Sequence, residues 1–402
     1  MKQTYDIIII GAGMAGASLA IALSGHGLRI ALVEAAELKT NSVPNYDDRG
    51  IALAWGSQRI LNALQVWSQM EAHATPIRQI HVSEQGGFGI SHLDSAEENV
   101  PALGYVITAR NLGSALLHRL KSLPDIDLIA PQKVQWVNIE DQFASIGLQD
   151  QTLHSKLLVA ADGGNSFVRQ QLCFKVKRKA YAQSAITTNI TPGKPHQDIA
   201  YERFTRNGPM ALLPMDDQRC ALVWTVSDES LGKILSLSDD DFLARVQQQF
   251  GWRLGKFQRV GKRNSYPLNQ LYSADTIKPR SVIIGNAAHT LHPVAGQGFN
   301  LGIRDVATLA EVVLQSISCG EDPGDITVLQ RYQHWRHKDQ QQVIRATDML
   351  VRGFSNNLFP LKVARNTGIL ALEGLPMVRH GIAHKAMGIQ GHLPRLSRGL
   401  PL

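Results

Sequence analysis

The chain has 402 residues, which exceeds what one compact core usually holds, so two or three domains are expected. Hydrophobic residues make up 44% and charged residues 19%, a balance that is typical of a folded globular protein and excludes extensive disorder. The formal net charge is +7, yet the basic residues are spread along the chain without a dense cationic run. This dispersion argues against a nucleic-acid-binding protein.

The cysteines and the longest uncharged segment indicate where the protein resides. Cys173, Cys220 and Cys319 are far apart and form no C-x-x-C pair, which argues against a disulfide framework or a zinc knuckle. Isolated buried thiols in a reducing compartment are therefore predicted. Residues 7–24 carry no charge, but glycines interrupt them at the spacing of a phosphate loop, which argues against a membrane span. We expect a cytoplasmic protein that at most touches the inner face of a membrane.

The amino terminus has the pattern of a βαβ unit. Residues 5–10 form a continuous apolar run that predicts a buried parallel strand. Residues 14–26 predict a helix that ends at glycines, and residues 29–33 predict a second strand that closes on Glu34. The turn between the first strand and the helix reads Gly11-Ala12-Gly13-Met14-Ala15-Gly16.

This G-x-G-x-x-G turn predicts a dinucleotide-binding loop. Gly11 permits the tight turn, Gly13 lets a pyrophosphate approach the backbone, and Gly16 permits close packing of helix and strand. The helix amino terminus adds unpaired N–H groups for the phosphates. Glu34 is placed to accept hydrogen bonds from an adenosine ribose, which favours FAD or NAD over a 2′-phosphorylated nucleotide. The motif alone does not distinguish FAD from NAD.

Later segments predict that one sheet is assembled from distant parts of the chain. Residues 156–160 and 281–284 are short apolar strands, each followed by a glycine-bearing turn and a helical pattern. Between about 176 and 275, alternating stretches separated by turn residues indicate an antiparallel sheet, which residues 76–92 are expected to join. After residue 326 the pattern is mainly helical.

The turns after these two strands supply further candidate binding residues. The first contains Asp162, followed by Gly163 and a segment that ends at Arg169; Asp162 suits either cofactor binding or helix capping. The second leads through glycines into a long helix whose amino terminus could stabilise negative charge on a bound ring. Its candidate residues are Gly285, Asn286, Pro293, Gly296, Gln297, Gly298 and Asn300.

In this combination and order, the three segments resemble the class A flavoprotein monooxygenases, the group that includes para-hydroxybenzoate hydroxylase. The resemblance spans nearly the whole chain. It implies that the first segment binds the ADP part of FAD, that the second lies near FAD and a transient nicotinamide, and that the third holds the ribityl chain and flavin. It also implies cofactor contacts for Arg49, within a D-x-R-x-x-A-L segment, and for Arg110, before a helix expected near Leu112. One departure is Asn286, because most members have aspartate there.

Within that group the chain resembles the ubiquinone-biosynthesis hydroxylases, most of all those acting on 2-polyprenyl-6-methoxyphenol. The segments that carry this likeness include Glu202-Arg203-Phe204, Leu213-Pro214-Met215 and Tyr266-Pro267-Leu268. The resemblance implies that NADPH or NADH reduces FAD, and that dioxygen then hydroxylates the phenol to a 1,4-benzoquinol through a flavin C4a-hydroperoxide. Other expected associations are peripheral membrane contact, ubiquinone-biosynthesis proteins and a second copy of the chain.

The resemblance also implies an α/β fold in which a Rossmann-like FAD-binding domain is interleaved with an antiparallel-sheet substrate domain. The FAD-binding domain is expected at 1–75, 101–175 and 276–325, the substrate domain at 76–100 and 176–275, and a helical region at 326–402. Alternative functions are hydroxylation at another ring position of the same pathway, flavin-dependent reduction of prenyl double bonds, and a non-catalytic FAD-bearing subunit.

Two histidines near the third segment invite a catalytic or metal-binding interpretation. His289 and His292 have an i, i+3 spacing, but no carboxylate or cysteine stands beside them in a metal-site pattern. Histidines that pack near a cofactor are the commoner case, so no metal is predicted. The sequence identifies no residue as the base for the phenol.

Overall fold

The computed structural model describes residues 3–38, 47–292, 296–354, 367 and 374–402. Its strands, in chain order, are β1 Gln3–Ile10, β2 Ile30–Val33, β3 Gly50–Ala54, β4 Thr75–Ile77, β5 Gln79–Glu84, β6 Ile90–Asp94, β7 Gly104–Thr108, β8 Ile126–Ile129, β9 Trp136–Ile139, β10 Ala144–Gly147, β11 Thr152–Ala160, β12 Val176–Thr191, β13 Ile199–Thr205, β14 Gly208–Pro214, β15 Cys220–Ser227, β16 Arg259–Val260, β17 Asn264–Ser273, β18 Ile277–Lys278, β19 Ser281–Ile283 and β20 His289–Thr290.

Helices connect these strands and form the carboxyl-terminal part. The α-helices are α1 Met14–Leu23, α2 Trp55–Ala63, α3 Ala109–Lys121, α4 Phe167–Gln171, α5 Asp228–Leu235, α6 Asp239–Phe250, α7 Gln297–Ser318, α8 Ile326–Phe354 and α9 Pro376–Ala386. Short 3-10 turns lie at Trp67–Gln69, Glu71–His73, Gly285–Ala287 and Leu396–Arg398.

The first sheet is parallel at its centre and has helices on one face. Its strand order is β18-β19-β11-β1-β2-β8, and β9 and β10 extend it beside β11. The pairs that join β19, β11, β1, β2 and β8 are all parallel. Ile7 and Ile9 point toward a core formed with α1, α3 and α7, whereas Ile8 and Ile10 point toward the β9–β10 side. Burial of each such side chain stabilises the fold by about 1.5–3 kcal/mol, and both faces of this sheet are covered.

The second sheet runs in the order β20-β17-β12-β15-β14-β13-β5-β6, with β16 beside β12. As predicted from residues 76–92, β5 and β6 belong to it. The expectation of a purely antiparallel sheet was wrong at one place, because β5 pairs with β13 in parallel. The two strands come from distant parts of the chain, so no hairpin constrains their relative direction. A small third sheet contains β3, β7 and β4.

Three local predictions need correction. The first helix ends at Leu23 rather than at residue 26, because Ser24 is extended and Gly25 has a φ of 84°. Arg110 lies within the first turn of α3 and not before that helix, whose amino terminus is capped by the Thr108 hydroxyl. Of the cysteines, only Cys220 is buried, whereas Cys173 and Cys319 are exposed.

Candidate active site

The three sequence segments converge at the carboxyl ends of β1, β11 and β19. At this edge the Gly11 N–H donates to the Val33 carbonyl at 2.7 Å, and the Ile284 N–H donates to the Ala160 carbonyl at 3.0 Å. A Cβ atom at Gly285 would lie 3.1 Å from the Ala15 Cβ atom, so the first and third segments are in contact. Ligands of open α/β sheets bind at this kind of edge.

Arg169 joins the second segment to the third. Its guanidinium donates to the Gly164 carbonyl at 2.8 Å and to the Ala287 carbonyl at 2.9 Å, and the side chain is 1% exposed. Desolvation by burial lowers the pKa of Arg169, with a further lowering from Arg178. The sequence identified the segment that ends at Arg169 but not this bridge, because Ala287 lies in a distant part of the chain.

The glycine-rich loop has the space that a dinucleotide needs. A Cβ atom at Gly16 would lie 1.9 Å from the Gly11 carbonyl oxygen, so only glycine permits this approach of α1 to β1. Around Gly13, by contrast, a Cβ atom would meet nothing within 4 Å among the described residues. The second glycine therefore faces open space, where a pyrophosphate could approach the N–H groups of α1.

Glu34 closes the same loop and keeps acceptor capacity. One carboxylate oxygen accepts the Ala12 N–H at 2.8 Å and the other accepts the Ala36 N–H at 2.9 Å. A carboxylate has about four lone-pair positions, so it can still accept bonds from ribose hydroxyls.

Asp162 in the second segment has an acceptor that no described residue uses. Its Oδ2 atom accepts the Val168 N–H at 3.2 Å and so caps α4, whereas its Oδ1 atom is buried without a hydrogen-bond partner among the described residues. Buried acceptors are normally paired, so this oxygen fits a hydroxyl donor of a bound cofactor.

The third segment places the amino terminus of α7 at the cavity. Gly296 precedes α7 with a φ of 60°, and no side chain caps the first turn. Gln297 and Gly298 line the cavity there, and Asn286 lines it from the preceding turn with an exposed side chain. Pro293 lies outside the described residues. The free N–H groups of a helix amino terminus stabilise a negatively charged ring edge.

Asn300 supports this segment instead of offering its side chain to a ligand. The amide oxygen accepts from the Ala54 N–H and the Ser57 hydroxyl, and the amide nitrogen donates to the Ala52 and Gly296 carbonyls, at 2.7–3.0 Å. Because the amide is thus satisfied, we infer that any contact of Asn300 with a cofactor comes from its backbone.

The two candidate arginines differ in their surroundings. Arg49 is exposed, lines the cavity and has its guanidinium carbon 5.8 Å from the centre of the Tyr266 ring. Arg110 is paired with Asp48, with Nε 2.8 Å from the carboxylate, and it is not among the residues that line the cavity. The structure therefore places Arg49 at the candidate site, whereas Arg110 is paired with Asp48 outside the cavity lining.

A cavity of about 1100 Å³ extends from these loops across the second sheet to α9. Its floor is formed by the three segments and its wall by β5, β13, β14 and β15. Among the described residues that line it, the carboxylates are those of Asp47 and Glu202. Asp47 accepts the Lys262 N–H at 2.6 Å. The cavity thus joins the dinucleotide loop to a mostly apolar chamber.

Asp305, a residue that the sequence analysis did not single out, anchors the third segment. Its Oδ2 atom lies 2.6 Å from His289 Nε2 and accepts the Gly285 N–H at 3.4 Å, and its Oδ1 atom lies 2.8 Å from Arg336 Nε. The residue is fully buried. Burial acts to raise the pKa of Asp305, but His289 and Arg336 hold it well below the ordinary value of 3.8.

The network continues into α8, where Arg336 also contacts Asp339, which in turn contacts Arg304. His289 is thus a positioned partner of Asp305.

Burial lowers the pKa of His292 to about 4, which makes it neutral at neutral pH. No cluster of side chains suited to a metal ion occurs within the described parts of the chain.

These residues fit FAD. The open space at Gly13 and the Glu34 carboxylate suit the ADP part, the unpaired Asp162 oxygen suits a hydroxyl, and the α7 amino terminus opens on a cavity large enough for a ring system. Roles for the individual candidate residues stay predictions.

Comparison with known proteins agrees with this geometry. The family described as "FAD binding domain" matches residues 4–347. "Ubiquinone hydroxylase UbiL" of Rhodospirillum rubrum is 35% identical over 404 residues, covering 100% of this chain and 94% of that protein. The "3-demethoxyubiquinol 3-hydroxylase" of Escherichia coli is 32% identical over 395 residues, covering 96% of this chain and all of that protein.

Solved structures share the fold at lower identity. The p-nitrophenol 4-monooxygenase PnpA from Pseudomonas putida matches with a TM-score of 0.79 and 17% identity, over 97% of this chain and 100% of that one. The predicted α/β fold is thereby confirmed. The chain therefore belongs to the FAD binding domain family and, within that family, to the FAD-dependent monooxygenases.

Proposed function

We propose that the chain hydroxylates a polyprenylated phenol in ubiquinone biosynthesis, with 2-polyprenyl-6-methoxyphenol as the substrate and the 1,4-benzoquinol as the product. The printed names of its relatives support the pathway, and the segments around Glu202 and Tyr266 support this ring position. The observation that carries the proposal is a continuous, mostly apolar cavity that begins at the three sequence segments expected to bind FAD.

The far part of this cavity suits a prenyl tail. It is lined by Ile80, Leu93 and Leu103 from the second sheet and its flanks, and by Ile382 and Met387 from α9 and its carboxyl end. A polyprenyl tail gains about 0.8 kcal/mol for each buried CH₂ group, so such a surface binds it without polar partners. The phenol ring is then directed toward the loops.

Bound FAD, reduced by NADPH or NADH, supplies the activation of dioxygen and the oxygen transfer. The protein holds the ADP part with the glycine loop and Glu34, and it offers the α7 amino terminus to the flavin ring. The sheet wall orients the phenol and keeps water from the reacting carbon.

Incubation with NADPH, ¹⁸O-labelled dioxygen and a short-tail methoxyphenol tests the proposal. We expect one labelled oxygen atom in the product, at the position para to the original hydroxyl, as read by mass spectrometry and NMR. Unlabelled product would contradict hydroxylation, and turnover without dioxygen would favour a prenyl reductase. A yellow protein that oxidises no NADPH with any prenylphenol would favour a non-catalytic subunit. Label at another carbon would reassign the ring position.

We also propose the domain division expected from the sequence: 1–75, 101–175 and 276–325 for FAD, 76–100 and 176–275 for the substrate, and 326–402 as a helical region. The parallel strands of the first sheet support this division, because β1, β2, β8, β11 and β19 all come from the FAD ranges, whereas β20, also within those ranges, pairs with the second sheet.

We propose further that α9 contacts an anionic membrane surface from which the prenyl substrate enters. None of the helices in the described ranges has the length together with the apolar character that a bilayer crossing requires. On α9, however, Met377 is 87% exposed, and Val378 and Ile382 are also exposed. Ile382 also lines the cavity, so this helix separates the chamber from the surroundings. Apolar side chains beside an exposed Lys385 suit a lipid interface.

Replacement of Met377 with glutamate is expected to weaken binding to anionic vesicles about tenfold, because an apolar contact is lost and a like charge is introduced. Vesicle co-sedimentation measures this. Phe88→Glu is the matched control. Phe88 is 62% exposed at the tip of the β5–β6 hairpin, whereas the ion pair between Arg379 and Glu97 joins α9 to the opposite end of that hairpin. Equal weakening of vesicle binding by both substitutions would contradict a specific role of α9, and so would unchanged binding in both.

A further inference from the structure

Glu202 is a carboxylic acid on the apolar wall of the cavity. It lies on β13 between Val82 of β5 and Ala211 of β14, and Phe204 follows on the same face of the strand. All four residues line the cavity. The opposite face of this sheet, where Tyr201 packs, is covered by the core that includes α5 and α6. The Glu202 carboxyl group therefore belongs to the substrate chamber.

The carboxyl group of Glu202 has no hydrogen bond or ion pair with any described residue. Glu34, by comparison, accepts two backbone N–H groups, and Asp305 contacts a histidine and an arginine. The Glu202 side chain is half-buried and lines the cavity, and a carboxyl group in a cleft without a protein partner is a candidate for a functional site. The carboxyl oxygens of Glu202 are therefore open to a hydrogen-bond donor that enters the cavity.

Burial raises the pKa of Glu202 to about 7 from the ordinary 4.5, and burial is its sole cause. The other titratable or charged side chains among the lining residues are Asp47, Arg49, Tyr266 and Arg379; Tyr201 also borders the cavity, but its ring packs against Phe250 on the opposite face. A base whose pKa lies near the working pH exchanges protons most effectively. Phenols ionise near pH 10, so this shift brings the pKa values of acid and base closer together by about two to three units.

We propose that the Glu202 carboxylate accepts the proton of the substrate's phenolic hydroxyl group. This rests on the proposed function and names the base that the sequence did not identify. The O–H bond of the phenol breaks, its electron pair stays on oxygen, and the proton forms an O–H bond on Glu202. The resulting phenolate directs electron density to the carbon that is hydroxylated.

The proton balance closes at the end of the reaction. After oxygen transfer, the hydrogen on the hydroxylated carbon leaves as a proton when the ring regains aromaticity, and a proton is taken up as the second oxygen atom of dioxygen departs as water. Glu202 then returns its proton to the phenolate oxygen. No oxidant or reductant is needed beyond the dioxygen and NADPH of the monooxygenase reaction, and the protein ends unchanged.

The test compares Glu202→Gln with the wild-type holoenzyme in single-turnover hydroxylation of a short-tail methoxyphenol. We expect the hydroxylation rate to fall about 10²- to 10⁴-fold, because a positioned base contributes that much. Hydride transfer from NADPH to FAD should continue, and reducing equivalents should appear as hydrogen peroxide. Glu202→Asp should recover part of the rate, since it restores a carboxylate.

The pH profile separates a base from a structural residue. Wild-type hydroxylation should rise with pH through about 7, as the Glu202 pKa requires, and this rise should disappear in Glu202→Gln. Glu229→Gln, on the exposed surface of α5, is the matched control and should behave as wild type. A Glu202→Gln protein that keeps FAD and hydroxylates at the wild-type rate with the same pH profile would overturn the proposal. If wild-type protein forms no hydroxylated product, the proposed function itself fails.

Discussion

Replacement of Gly16 with alanine is expected to weaken FAD binding and to destabilise the protein. The added methyl group would lie 1.9 Å from the Gly11 carbonyl oxygen, which is a backbone atom directly after β1 and not the end of a flexible side chain. Separation of α1 from β1 costs about 1–3 kcal/mol, as for other overpacked sites. If FAD binds only when α1 is in its normal place beside β1, this free-energy cost lowers the affinity for FAD about ten- to a hundredfold. Flavin fluorescence titration and thermal unfolding measure the two effects.

Two other glycine substitutions make this prediction specific. Gly13→Ala places its methyl group in open space, so the FAD-free protein should keep its stability while FAD affinity falls, because the methyl group lies where the pyrophosphate approaches. Gly113→Ala, inside α3 and also in open space, should leave FAD affinity unchanged and stabilise the fold by about 0.5–1 kcal/mol. Normal FAD affinity in Gly16→Ala would show that α1 does not carry the phosphate site.

Replacement of Asp305 with asparagine is expected to cost about 3–5 kcal/mol of stability, as for other buried ion pairs that lose one partner. Asp305 is fully buried and faces Arg336, whose side chain is 5% exposed, so the arginine charge would be only partly compensated. The third segment would also lose its anchor at Gly285 and His289, and FAD affinity should fall with stability. Urea unfolding of the FAD-free protein and flavin titration give the two values.

The Asp339→Asn protein is the matched control, because Asp339 contacts the same arginine but its side chain is 34% exposed. Water replaces the lost contact there, so the destabilisation should be smaller. Acid provides a second test of Asp305. Because its folded-state pKa is depressed below 3.8, its stabilisation is complete above that pH and lost as the pH falls further. Asp305→Asn should flatten this acid dependence, and an unchanged acid transition would contradict the role assigned to the carboxylate.

Features determined by neighbouring residues could be predicted from the sequence. The apolar run before Gly11, the glycine spacing, and the strands before Asp162 and Gly285 each express a local pattern, and the structure contains all of them. Their convergence followed from the resemblance to a known family and from the rule that the carboxyl ends of parallel strands share one edge.

Features that depend on distant contacts could not be predicted. The sequence predicts a cofactor contact for Asn300, which stays a prediction, but it does not reveal that the amide is occupied by groups around Ala52 and Ser57, far away in the chain. Asp305 gave no signal, because its partner Arg336 lies on another helix. Glu202 stood in an alternating strand, and alternation does not reveal which face meets a cavity.

The position of β11 in the first sheet determines when this protein can mature on the ribosome. β11 lies between β1, made first, and β19, which begins at Ser281. A nascent chain that has not reached β19 leaves one edge of β11 unpaired, and such edges promote aggregation. A chain that has not reached α7 and α8 also lacks the Asp305 anchor of its third segment. We therefore expect flavin to bind only after nearly the whole chain has been translated.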